Sequence, residues 1–166
     1  KLQSPGLDAL LVTGGMSMGA HDYVPRVLRD LGYTLAITKL RIKPGKPFVW
    51  ATGGSGAANV FGLPGNPVSA FACTLRLASR LLLRMQNRSP EPRWLRAELA
   101  ADLPANGPRE FYQPATIDPQ GRVAVLNWKG SADVFTLARA NALLVRPEDD
   151  PARRAGEIVR LIEVPQ

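Results

Sequence analysis

Three short segments in which glycine and proline interrupt otherwise apolar or alternating runs constrain this chain most: Gly14-Gly15-Met16-Ser17-Met18-Gly19, Lys43-Pro44-Gly45-Lys46-Pro47 and Leu63-Pro64-Gly65-Asn66-Pro67-Val68-Ser69. Each follows a stretch that reads as a strand, and two lead into a helical pattern. In an open α/β sheet, loops at the carboxyl ends of strands expose backbone N–H groups and helix N-termini to a ligand. Three strand ends sharing one rim are therefore expected, offering glycines, hydroxyls, two lysines and one carboxylate, a set suited to an anion.

The flanking pattern supports an α/β region. Asp8 to Thr13 is an apolar run closed by Gly14-Gly15, as for a strand buried in a parallel sheet. Val24, Val27, Leu28 and Leu31 follow at helical spacing, with Gly32 placed to end the helix. A second strand is expected over about Thr34 to Ile42 and a third over Asn59 to Leu63. Asn66-Pro67 makes a good helix start, since Asn can cap orphan N–H groups and Pro has none to lose. That helix should run to about Met85. The polar, proline-containing stretch from Asn87 to Pro92 reads as a linker. Beyond it, Leu95, Ala97, Leu99, Ala101 and Leu103 alternate with polar or small residues. A turn follows at Asp118-Pro119-Gln120-Gly121, then strands at Arg122 to Leu126, Ala142 to Val145 and Glu157 to Val164. Residues 1–88 are thus expected as one α/β domain and residues 89–166 as a small all-β barrel or sandwich.

Composition narrows the function. The 166 residues, 45% of them hydrophobic, suffice for one ordinary domain or two small ones. No run approaches the roughly 18 consecutive apolar residues of a membrane span. The single cysteine, Cys73, lies in an apolar helical pattern, which points to packing in a reduced, cytoplasmic setting. The net charge of +7 is spread along the chain without interleaved aromatics, which argues against nucleic acid as a partner. Because the chain opens on Lys1-Leu2-Gln3-Ser4 and enters a strand almost at once, it reads as a fragment of a longer protein.

Gly15-Met16-Ser17-Met18-Gly19 also matches the G-x-S-x-G pattern of serine hydrolases. The only histidine, His21, stands four residues after Ser17, too close to form a relay through Ser17, His21 and Asp22. An anion cradle fits the segment better. Glycines allow close backbone approach, Ser17 donates a hydrogen bond, and the helix dipole favours negative charge. Asp22 would repel a phosphate unless a cation intervenes, and so suits a Mg²⁺ contact or the orientation of a nucleophile. Lys43 and Lys46 flank a rigid Pro-Gly turn, and their mutual repulsion is relieved when an anion bridges them.

Taken together, Gly14 to Asp22, Lys43 to Pro47 and Leu63 to Ser69, in this order, resemble the C-terminal half of molybdopterin molybdenumtransferase, the bacterial relative of the gephyrin E domain. Gly130-Ser131, Leu137 to Asn141 and Ala155-Gly156-Glu157 extend the likeness along the chain. The resemblance implies a three-layer α/β molybdopterin-binding domain, N-terminally incomplete, followed by a β-barrel. It also implies insertion of molybdate into adenylylated molybdopterin with release of AMP, Mg²⁺ as cofactor, a homodimer and contact with other proteins of the same pathway. By the same resemblance Asp22 (also the metal contact), Lys43 and Lys46 are catalytic. Gly14, Gly15, Ser17, Gly19, Pro47, Pro64, Gly65, Asn66, Pro67, Ser69, Arg109 and Ser131 contact substrate, the last two from the β-domain. After Phe111-Tyr112 the family carries an arginine and an alanine, where this chain has Gln113-Pro114-Ala115. A non-catalytic, gephyrin-like scaffold is the alternative reading, and the retained lysine pair beside a carboxylate favours chemistry.

Overall fold

A computed structural model of the chain describes residues 6–16, 23–54 and 58–165. It divides into two compact units, one of Lys1–Leu40 with Gly45–Ser79 and one of Arg41–Pro44 with Arg80–Gln166.

The first unit holds β1 (Ala9–Thr13), α1 (Val24–Asp30), β2 (Tyr33–Ile37), β4 (Val49–Gly53) and β5 (Asn59–Leu63), with β3 (Ile42–Lys43) falling to the other unit. Its sheet runs β1-β5-β4-β2. Only β1 and β5 are parallel, in register from Ala9 opposite Asn59 to Thr13 opposite Leu63, while β4 is antiparallel to both neighbours. One face carries Val49, Ala51 and Val60, which pack with Leu28 and Met16 and with the partly buried Leu10, Val12, Val24 and Leu35. Of the apolar residues expected to seat α1, Val24 and Leu28 do so, whereas Val27 and Leu31 are 47% and 36% exposed. A helix of seven residues makes only two turns, and the i, i+4 pair already fills its contact with the sheet.

The strand expected over Thr34 to Ile42 is two strands. β2 ends at Ile37 after a register shift against β4 between Leu35 and Ile37. The chain then leaves that sheet, and Ile42 and Lys43 pair in parallel with Glu110 and Phe111 of the second unit. Alternation of Leu40 and Ile42 with charged residues suits a strand, yet it does not say which sheet receives it. β4, which the sequence reading passes over, fills the space between β5 and β2.

The helix expected from Pro67 to Met85 forms as α2 (Pro67–Cys73), a π-helical turn (Thr74–Ala78) and α3 (Ser79–Met85). The extra residue of a π turn rotates the turns that follow it relative to α2. Ser79 Oγ donates to Leu75 O at 2.7 Å within this stretch. After α3, the polar stretch read as a linker folds back. Arg88 N donates to Leu83 O, Arg80 Nε to Pro90 O, and Arg80 Nη2 meets Glu91 Oε1 at 2.8 Å.

The second unit is a closed barrel of β6 (Trp94–Leu99), β7 (Glu110–Ile117), β8 (Arg122–Val125), β9 (Ala142–Arg146) and β10 (Ile158–Glu163), with α4 (Val134–Arg139) before β9. The order β7-β8-β6-β10-β9 closes because β9 also pairs with β7. Ala97, Leu99, Ala115, Val123, Ala142, Leu144, Val159 and Leu161 fill its interior. The expected turn is present: Asp118 Oδ1 accepts from Gln120 N and Arg122 N, and Gly121 takes φ +79°.

One end of β9 carries a buried ion cluster. Arg146, 3% exposed, meets Asp150 Oδ2 at 2.5 Å and donates to the carbonyls of Pro104 and Pro151, while Arg153 meets Asp150 Oδ1 and Glu157. Burial pushes the Asp150 carboxyl up, but hydrogen bonds from Arg153 and Arg146 and their charges more than offset it, so it titrates below its ordinary value. Asp150→Asn leaves Arg146 buried without its counter-ion and should cost about 3–5 kcal/mol of stability in urea unfolding at neutral pH. A lowered folded pKa stabilises fully above the ordinary value of 3.8, and that share is lost as pH falls through the folded value. The gap between wild type and Asp150→Asn should accordingly hold from neutral pH down to about 3.8, narrow as pH falls further, and level off below the folded value.

Candidate functional site

In the first unit, two of the three motifs meet at the carboxyl ends of the parallel pair. Gly14 N donates to Leu63 O at 3.0 Å, continuing the β1–β5 ladder one step past the strands. The two turns then run side by side, since a Cβ on Gly65 would lie 3.6 Å from Gly14 Cα. Gly14 and Gly15 adopt φ +81° and +68°, a conformation L side chains rarely take. A Cβ on Gly15 would also stand 3.1 Å from Val24 Cγ2, and the bare backbone of Gly62 leaves room for Met16 to fold back over β5. The turn is thus built from glycines because both the dihedrals and the neighbouring side chains demand it.

Pro64 and Ser69 are buried, the latter 4% exposed, while Gly65, Asn66 and Pro67 are exposed at the start of α2. Lys46 is exposed and Pro47 half-buried. Their loop is held from both sides, as Leu40 N donates to Lys46 O at 3.0 Å and the Cys73 thiol reaches Gly45 O at 3.5 Å. Burial pushes that thiol up to about 12, so Cys73 is a packing residue without nucleophilic character.

The remaining described candidates lie in the second unit. Lys43 ends β3 with its ammonium 4.4 Å from the centroid of the Phe111 ring, and Phe111 packs on Trp128 at 5.9 Å. The expectation of three strand ends on one rim is therefore corrected: β1 and β5 share a rim, whereas the strand ending at Lys43 belongs to the barrel sheet. Arg109 is exposed, its loop fixed by Asn106 Nδ2, which donates to the carbonyls of Arg109 and Pro147. Ser131 sits in a loop closed by Asp133, which caps α4 by accepting from Thr136 N and also accepts from Lys129 N. Those backbone donors hold the Asp133 carboxyl below its ordinary value. The Asp133 tie and α4 itself are absent from the sequence reading, although Asp three residues before Thr136 is a recognisable capping pattern. Ser17, Gly19 and Asp22 lie outside the described residues, as does His21.

Residues 2–84 match the family model described as "Probable molybdopterin binding domain", and residues 96–164 match that of the "MoeA C-terminal region (domain IV)". The chain belongs to the molybdopterin molybdenumtransferase family. Similar proteins include the molybdopterin molybdenumtransferase of Synechococcus elongatus, 31% identical over 95% of this chain and 39% of the relative. Another is the molybdenum cofactor synthesis protein cinnamon of Drosophila melanogaster, 32% identical over 92% of this chain and 26% of its own length. Among solved structures, a molybdopterin biosynthesis MoeA protein from Pyrococcus horikosii superposes with a TM-score of 0.77 at 26% identity, over 94% of this chain and 37% of that one. The chain spans about two fifths or less of the length of these relatives. The α/β unit followed by a β-barrel is the fold expected of the family's C-terminal part.

The paired turns yield a test in this family member. No described atom lies within 4 Å of a Cβ on Gly14, so Gly14→Ala should cost about 1–2 kcal/mol through its backbone conformation alone. Gly14→Asn, which tolerates the same conformation, should cost clearly less in the same urea titration.

Proposed function

We propose that this chain carries the molybdate-handling and substrate-handling part of a molybdopterin molybdenumtransferase, which inserts molybdate into adenylylated molybdopterin and releases AMP. The observation that carries this reading is the meeting of the Gly14-Gly15 and Pro64-Gly65 turns at the rim of β1 and β5, in a chain of this family. Such a rim lets the backbone approach an anionic ligand closely. Lys43 and Lys46 are tethered within one short loop, and both are exposed. Two ammonium groups so tethered favour a dianion such as molybdate, which removes their repulsion and gains charge-assisted hydrogen bonds. In this reading Arg109 and Ser131 add donors to oxyanion groups. Donors of this kind stabilise charge as it passes to the leaving phosphate when the bond between the adenylyl group and molybdopterin breaks.

Ser17 and Gly19 are assigned to the substrate loop, and Asp22 to catalysis and the metal. Among the described residues no group of three or more His, Cys, Asp or Glu side chains could hold a metal ion. Mg²⁺ is assigned to Asp22 in this reading. A homodimer, contact with other proteins of molybdenum cofactor synthesis and a cytoplasmic setting belong to the same proposal. No helix among the described residues is long and apolar enough to cross a membrane.

Calorimetric titration of molybdate into the protein and into a Lys43→Ala/Lys46→Ala double variant tests the reading. Saturable binding that weakens at least about tenfold in the variant is expected, given the worth of charge-assisted contacts. Absence of binding to wild type would move the assignment to a non-catalytic scaffold.

A further inference from the structure

The barrel unit contains a cleft of about 400 Å³ that none of the assigned site residues lines. Its volume is in the range of small-molecule sites. Leu103 and Val125 give it apolar walls, and Gln113, Asn127 and Trp128 supply polar and aromatic groups. Asp102 is the one ionisable residue in the lining, and its carboxylate is already taken by Arg154 Nη1 at 2.7 Å and Ala155 N at 2.8 Å. The lining therefore presents no unpaired charge and does not suit an anion.

Gln113 Oε1 is buried and has no hydrogen-bond partner among the described residues. An acceptor left in that state is unfavourable, and the soft terminal torsion of a glutamine lets a small rotation bring it to a donor in the cleft. Trp128, half-buried, is both a wall of the cleft and the ring packed on Phe111, over which the Lys43 ammonium stands. A cation and an uncharged, aromatic-walled cleft are thus joined through a single pair of rings. Neutral planar heterocycles carrying an anionic arm have this division of chemistry.

We propose that the cleft takes the planar nitrogen heterocycle of the substrate, stacked on Trp128, with ring N–H groups donating to Gln113 and Asn127 and the anionic arm directed to Lys43. The inference rests on the transferase reading, whose substrate is a pterin, and adds Trp128 and Gln113 as specificity-determining residues of that reaction.

Pterin-6-carboxylate, a fused heterocycle with one anionic arm, serves as the probe in calorimetric titrations of the full chain, run beside molybdate on the same samples. Trp128→Leu keeps an apolar contact for Phe111 but no aromatic face, and should weaken the probe about tenfold or more, a larger loss than any in molybdate affinity. Trp128→Phe should restore most of the binding. Should Trp128→Leu fail to fold, Asn127→Ala at an exposed position removes an acceptor for the ring N–H groups and should weaken the probe several-fold. Probe affinity equal to wild type in Trp128→Leu or in Asn127→Ala, or absence of binding to wild type, overturns the proposal. Probe binding that depends on Trp128 in a protein that binds no molybdate upholds the cleft and removes the transferase reading instead.

Discussion

The backbone hydrogen bond from Gly14 N–H to Leu63 O is the constraint on which the first unit's candidate site depends. Parallel strands begin and end together only when their register is fixed, and here the ladder from Ala9–Asn59 to Thr13–Leu63 is carried one residue beyond the strands. That extra rung sets two turns from distant parts of the sequence beside each other. Everything else at the rim follows from it: positive φ at Gly14 and Gly15, Met16 turned back over Gly62, and α2 starting directly behind Asn66.

The barrel is organised by closure instead. β9 is buried along its whole length and pairs with both β7 and β10, so its alternation of inward residues is masked by protein on every side. The same burial would strand Arg146, and Asp150, Arg153 and Glu157 satisfy it within a few residues of chain. Local sequence thereby supplies both the charge and its compensation, which keeps a buried cation compatible with a small core.

How far the fold can be read from sequence varies with the physical origin of each element. β1, α1, β5 and the barrel strands β6, β8, β9 and β10 announce themselves through apolar runs and turn residues such as Gly32 and Gly121, because burial and backbone geometry leave a local signature, whereas β7, with Gln113-Pro114 in its middle, does not. The break after Ile37 leaves none, since pairing of Ile42 and Lys43 with β7 is decided by a strand far along the chain. The π turn at Thr74–Ala78 is equally silent, being a shift of hydrogen bonds and not of composition. At the site, the Gly14 and Pro64 motifs were legible because special dihedrals require glycine and proline. The roles of Asp133, Trp128 and Gln113 emerge only when loops and sheet are assembled around them.

Strand β3 has a consequence for how the molecule comes to be made. Ile42 and Lys43 emerge from the ribosome well before Glu110 and Phe111, the residues against which they pair. Until the barrel sequence has been synthesised, this piece of the lysine motif has no ladder to join, and its backbone groups remain with water. The motif is thus completed in two instalments, and Lys43 acquires its fixed position only after β7 has been made.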